Sequence, residues 1–440
     1  MMTSTTASRW LLPILPILLL ACGRRHTDTA LQGAELQHKL MQGLTEVIVH
    51  DILSPPVSSR IYAYTTLAFH EALRPSHPDI PALVQNFNGF ERMPPAPDTT
   101  ILDVRLSAAL AFLTVAERLV FSKDSIRTLR QSVLQAFGHL SAGHTKASEI
   151  WGNRVAHCIL KRADGDNYRQ TRSMPRFSVF GENGKWQQTP PDYADATEPH
   201  WPLIRPLRMD SASQCRPAPP PPYDTLESSA YGRELREVWT ISQSLTPAMD
   251  SIARFWDDNA FVSKHVGHLT IATKKLTPVG HWMGITEILA RQNGLDEART
   301  STAYALTAAA IFDGFIACWE EKYRSNMVRP VTVIRERFES EWSPLLQTPS
   351  FPEYTSGHSV ITSAAATVLT DIFGKERSFT DTTEVKYLGM HRSFSSIEAA
   401  ADEAGISRLY GGIHFRSAIV NGKEQGRKVG RLFTPLLKQP

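Results

Sequence analysis

Three short stretches in the last third of the chain carry side chains suited to holding an anion. In the first, Lys322 and Arg329 stand seven residues apart and Pro330 follows directly. On one continuous helix they would lie about two turns, or roughly 10 Å, along a shared face. Pro330 disfavours helical backbone at Arg329, so the arginine is predicted at the helix end, turned inward. The second stretch, "PSFPEYTSGHSVITSAAATVL", sets Ser356, Gly357 and His358 where a small-residue helix starts, near Ser359. Unpaired N–H groups and the positive end of the helix dipole fall there, and Gly357 lets an anion approach the main chain. In the third, "SRLYGGIHFRS", Arg408 and His414 flank Gly411-Gly412, which permit a tight bend. Taken singly, each stretch has an ordinary reading: solvated cations, an N-capping serine with a surface histidine, a glycine turn.

The elements that must position these groups are helical. Apolar residues recur at three- and four-residue spacing from Leu31 to about Leu73, in "ILDVRLSAALAFLTVAERLVF", and in "DEARTSTAYALTAAAIFDGFIACWEEKYRSNMV". Strands are hard to find. Between Arg169 and Tyr231 the texture changes to Pro, Trp and polar residues, including "CRPAPPPPYDTLESSAYG", which suits an ordered excursion or an interdomain connection. The fold class expected is all-α, a helix bundle, with a helical region over 23–165, a Pro-rich irregular connection over 166–230 and a C-terminal bundle over 231–440 carrying the oxyanion site. No internal repeat, GxGxxG or P-loop is present.

Composition narrows the function classes. The chain has 440 residues, 42% of them hydrophobic, enough for a large core. Its 47 basic and 44 acidic residues are interspersed and leave a net charge of +3, so no basic stripe points to nucleic acid. At the N-terminus, Arg9, the run "WLLPILPILLLA" and Leu19-Leu20-Ala21-Cys22 have the form of a secretory signal ending in a lipobox. Residues 1–22 are therefore expected to form a lipoprotein signal peptide. A lipid on Cys22 would hold the protein to a membrane of the bacterial cell envelope, facing the periplasm or exterior. The other cysteines, Cys158, Cys215 and Cys318, form no disulfide framework or zinc spacing. Beyond residue 22 no uninterrupted apolar run is long enough to span a membrane.

In chain order the three stretches read Lys-x6-Arg-Pro, Ser-Gly-His and Ser-Arg-x5-His, and this triple resembles the signature of the type 2 phosphatidic acid phosphatase and vanadium haloperoxidase superfamily. The motif region runs from about Ala310 to Gly430. The helical half before Lys322, the "FWDDN" of 255–259 and the wording "PSFPEYTSGHS" are similar to its secreted, all-α, haloperoxidase-like branch. The resemblance implies that Lys322, Arg329 and Arg408 neutralise the equatorial oxygens of vanadate or phosphate, with Ser356 Oγ and the Gly357 N–H completing the cradle. It makes His414 the axial partner, ligating vanadium or attacking phosphorus, and His358 the acid–base group. Trp319 and Phe351 match aromatics around the halide pocket, and Asp258, in preference to Asp257, would pair with a site arginine. One position departs: the acid usual four residues after the axial histidine is Ala418 here, leaving Asn421, Glu424 or a backbone carbonyl to support the ring.

Two reactions fit one such pocket. With vanadate, hydrogen peroxide is activated and halide is oxidised. With a phosphomonoester, His414 attacks phosphorus and His358 protonates the leaving oxygen, as in a periplasmic acid phosphatase. An inactive anion-binding lipoprotein is the third reading, against which the intact set of three cations and two histidines argues. The resemblance over most of the chain, with Trp319 and Phe351 in place, favours the haloperoxidase.

Overall fold

The computed structural model describes residues 33–438 apart from Phe180 and Gly267, so the lipobox and Cys22 lie outside the described residues. At its centre runs the helix Glu297–Ser325. Asp296 starts it, its side chain accepting from the Arg299 N–H, and Asn326 stops it in the left-handed conformation at φ 50°. Alanines at 303, 305, 308, 309, 310 and 317 are all buried; their small side chains let the helices Pro55–Leu73 and Gly357–Phe373 pack closely on it. This helix is long and apolar enough to cross a membrane, contrary to the expectation from the sequence, yet it is buried throughout the bundle. Its apolar surface is covered by other helices, which explains why it is hydrophobic all round.

A second contact fixes the start of the Gly357–Phe373 helix. Gly422, Gly426 and Gly430 recur every fourth residue of the helix Arg416–Gly430 and face it. A Cβ on Gly426 would lie 2.1 Å from the Val360 carbonyl oxygen, and one on Gly430 2.6 Å from Thr367 Cβ. Only bare backbone fits there. One connected core extends from Leu36 to Leu436, and a smaller cluster around Tyr231, Val331, Trp342 and Phe415 lies against the motif loops.

The irregular stretch after residue 165 is tied down by buried polar anchors. The Asp313 carboxylate on the central helix accepts from the N–H groups of Leu207 (2.7 Å), Arg208 (2.7 Å) and Met209 (3.0 Å). Arg60 donates to Asp166 at 2.7 Å, and the indole of Trp319 and hydroxyl of Tyr323 both donate to the Thr197 carbonyl. Strand is confined, among the described residues, to two antiparallel pairs: Phe261–Val266 with Leu269–Lys274, and Phe379–Asp381 with Arg392–Phe394.

Candidate active site

The chain bends between the two cations of the first motif. The central helix ends at Ser325, and Arg329 is the extended N-cap (φ −78°, ψ 149°) of a new helix, Pro330–Arg337. The shared helix face is therefore replaced by a turn: Asn326 stops the central helix in the left-handed conformation, and the Pro330 ring excludes helical backbone at Arg329. Arg329 does turn inward and is fully buried. Its Nε donates to the Phe351 carbonyl, and Nη1 to the Ile413 carbonyl (both 2.9 Å) and to His414 Nε2 at 3.2 Å.

Lys322 behaves differently from the expectation. Its Nζ donates to three carbonyls of the following loop, Pro352 (2.9 Å), Glu353 (3.0 Å) and Thr355 (2.5 Å). Burial, with repulsion from Arg329, pulls its pKa down to about 7. Three acceptors nevertheless match the three hydrogens of an ammonium, so this loop holds the charged form. Lys322 thus shapes the backbone leading into Ser356 and adds positive charge from behind it.

The third motif closes the site. The helix Ile397–Tyr410 carries Arg408, and Gly412 at φ +76° reverses the chain so that His414 faces back toward it. Arg408 Nη1 donates to the carbonyl of Trp256 at 2.6 Å. The helix bearing His358 begins at Gly357, two residues earlier than expected, and Ser356 is its N-cap, Oγ accepting from the Ser359 N–H at 3.4 Å. Gly357, His358, Arg408 and His414 line one cavity of about 340 Å³, with Trp319 and Phe351 on its apolar side. The Phe351 ring lies 4.8 Å from Lys322 Nζ and 5.0 Å from Arg329 Cζ, close enough for cation–π attraction. All seven motif residues are thus brought together.

Two expected pairings are corrected. Asp258 pairs with histidines instead of an arginine: Oδ1 is 2.8 Å from His281 Nδ1, and Oδ2 is 3.4 Å from His358 Nε2. The Asp257 carboxylate takes Lys275 at 2.5 Å. The "FWDDN" segment does hold Arg408, through its backbone. The place left empty by Ala418 is filled by Glu353, whose Oε1 lies 2.8 Å from His414 Nδ1; Glu424 lies instead beside Arg431. Sequence reading also missed His281 and Asp381, which form a chain Asp381–His281–Asp258–His358, with 2.8 Å between Asp381 Oδ2 and His281 Nε2. Burial opposes charge on His281, but Asp258 and Asp381 outweigh it and hold its pKa well above the usual value. Glu353 sits inside the quoted second stretch, but nothing local distinguishes it from other acids; His281 has no motif around it.

The electrostatics of the lining groups suit an anion. Burial, then repulsion from Arg329, Lys322 and Arg408, pushes His414 well below its ordinary pKa. Burial and Arg408 bring His358 down to about 4, and burial brings Arg329 to about 10. Both imidazoles are therefore neutral at physiological pH, while the guanidinium stays charged. Arg329 Nη2 and Arg408 Nε are buried without a hydrogen-bond partner among the described residues. Such orphaned polar atoms are costly unless a ligand meets them. Together with the helix N-terminus at Gly357, these residues fit a tetrahedral oxyanion.

The family model for the VCPO second helical-bundle domain matches residues 302–440. Among solved structures, the first bacterial vanadium-dependent iodoperoxidase is 44% identical, with a TM-score of 0.87, over 92% of this chain and 97% of that one. A bacterial vanadium-dependent chloroperoxidase shares the fold at 20% identity and a TM-score of 0.68, over 88% of this chain and 93% of the holo or 94% of the apo structure. No curated protein matches the chain by sequence. Bundle, site and likeness define a helical oxyanion-binding peroxidase class, and the chain belongs to the vanadium-dependent haloperoxidase family.

Proposed function

We propose that this chain oxidises halide with hydrogen peroxide, using vanadate held at His414. The observation that carries the reading is a buried, neutral His414 among three cations, with two guanidinium nitrogens lacking partners nearby. Arg329 and Arg408 would grip the oxyanion through those nitrogens, the Gly357 N–H would add a main-chain donor, and Ser356 Oγ lies at the same helix start. When bound, vanadate supplies a Lewis acid that activates peroxide toward halide without changing its own oxidation state. His358 is neutral above about pH 4, and its Nε2 lies 3.4 Å from the Asp258 carboxylate, which only accepts. The N–H therefore points to Asp258, a proton is taken up at Nδ1, and Asp258 stabilises the resulting imidazolium. Phe351 and Trp319 keep the facing wall apolar, which favours a weakly hydrated halide over water. Iodide is the proposed halide, since the 44% identical relative is an iodoperoxidase.

The test is turnover by purified protein with and without orthovanadate, on iodide plus peroxide and on a chromogenic phosphate ester. Halide oxidation that requires vanadate is expected. Ester hydrolysis inhibited by vanadate, with no halide oxidised, would replace this reading with a phosphatase working through His414.

We also propose that Cys22 carries a lipid and anchors the enzyme in the cell envelope, with its site outside the cytoplasm. Leu19-Leu20-Ala21-Cys22 supports this, and stable attachment takes more than one acyl chain. Cys22→Ser should release the protein from the membrane fraction; unchanged fractionation without lipid label counts against the anchor.

A further inference from the structure

We infer that Glu353 is the positioning residue for His414: its carboxylate fixes the ring so that Nε2, with its lone pair, faces the anion. The inference rests on the reading of His414 as the vanadate ligand. A neutral imidazole has one N–H donor and one acceptor nitrogen. His414 Nδ1 lies 2.8 Å from Glu353 Oε1, an oxygen that also accepts from the Phe415 N–H at 2.9 Å. On the other side Nε2 lies 3.2 Å from Arg329 Nη1, and a guanidinium can only donate. Both partners therefore select the same tautomer, protonated at Nδ1 and with its lone pair at Nε2.

Glu353 is itself held from two sides. Its N–H donates to the Met327 carbonyl at 3.0 Å, and its own carbonyl accepts from Lys322 at 3.0 Å. It is fully buried. The loop that carries Ser-Gly-His into place thus also carries the group that aims His414, and Lys322 clamps that loop. This arrangement supplies from a distance of 61 residues what Ala418 cannot supply from within the third motif. A carboxylate behind a ligating imidazole orients it and raises its basicity, and losing such a partner typically costs ~10–100-fold in metal affinity.

The experiment compares two probes on the apo protein, orthovanadate and inorganic phosphate. Both are gripped by the cations, but only vanadate gains a bond to Nε2. In Glu353→Gln, vanadate affinity is expected to fall ~10–100-fold, while phosphate binding holds or tightens. A merely structural loss would weaken both. Glu353→Asp, which keeps the charge with a shorter reach, should recover part of the preference and serves if the glutamine variant does not fold. His414→Ala is the control and should abolish the preference for vanadate; placing Glu353→Gln on that background should change nothing further. If His414→Ala keeps the preference, the ligand reading fails. If His414→Ala loses it but Glu353→Gln binds both anions like wild type, or lowers both alike, the positioning role alone is overturned.

Discussion

Two imidazoles face the same cavity, and their partners give them different tasks. His414 is wedged between a carboxylate and a guanidinium and has no route to gain a proton without losing one of them. His358 meets the Asp258 carboxylate through Nε2 at 3.4 Å, with Arg408 close enough to oppose its charge. His414→Ala should therefore release vanadate on gel filtration and abolish halide oxidation. His358→Ala should retain vanadate, because the arginines and the helix N-terminus still hold it, while turnover slows by ~10²–10⁴-fold, the usual contribution of a general acid–base group. Equal vanadate loss in both variants would contradict this division. Asp258 should act through His358: Asp258→Asn is expected to lower turnover by ~10–100-fold with vanadate retained, as for other groups that act through an orienting contact. Unchanged kinetics would leave the chain from Asp381 through His281 and Asp258 with a purely structural role.

Helices place these side chains, and the placement depends on contacts with no slack. Gly426 meets the Val360 carbonyl so closely that Gly426→Ala must push the two helices apart. The cost should be at least about 1–3 kcal/mol, as for overpacked cores, read as a lower midpoint in chemical denaturation; an unchanged midpoint would deny the close approach. Between the helices Pro55–Leu73 and Glu297–Ser325 the tie is polar. His70, fully buried, pairs with Ser301 Oγ at 3.0 Å and donates through Nε2 to the Pro81 carbonyl at 2.8 Å. Burial lowers its pKa from 6.5 to about 4, so between those values the unfolded chain binds the proton and the folded one does not. Stability from this group is present above pH 6.5 and is lost as pH falls toward 4. Relative to His70→Gln, wild type should lose about 2 kcal/mol between pH ~7.5 and ~5, measured by urea denaturation at both values. A constant difference would refute the tie's pH dependence.

The site also needs the stretch between residues 165 and 230, which has little regular structure but supplies Thr189, Pro190, Ala194 and Thr197 to the cavity wall. Asp313 holds it from the central helix with two oxygens and three incoming N–H groups. In Asp313→Asn one of those oxygens becomes an NH2 facing N–H donors, leaving buried groups unpaired at about 1–3 kcal/mol. Limited proteolysis should then cut this stretch faster than in wild type, with halide oxidation falling in step; equal cleavage rates would show that other anchors suffice.

The sequence by itself determined the helices, the order of the three anion-binding motifs and the identities of the seven residues that meet. These are properties of local spacing: apolar periodicity marks a helix face, Pro330 opens a helix with Arg329 extended before it, and Ser356 caps one whichever neighbours pack against it. Tertiary structure alone decided which partners those residues take. Glu353 reaches His414 across 61 residues, and His281 reaches Asp381 across 100. It also turned Lys322 onto loop carbonyls and gave Asp258 to two histidines. The physical reason is that a buried charge must find a complementary group wherever the packed helices bring one, and a linear chain records spacing along itself but not which distant atoms burial will force together.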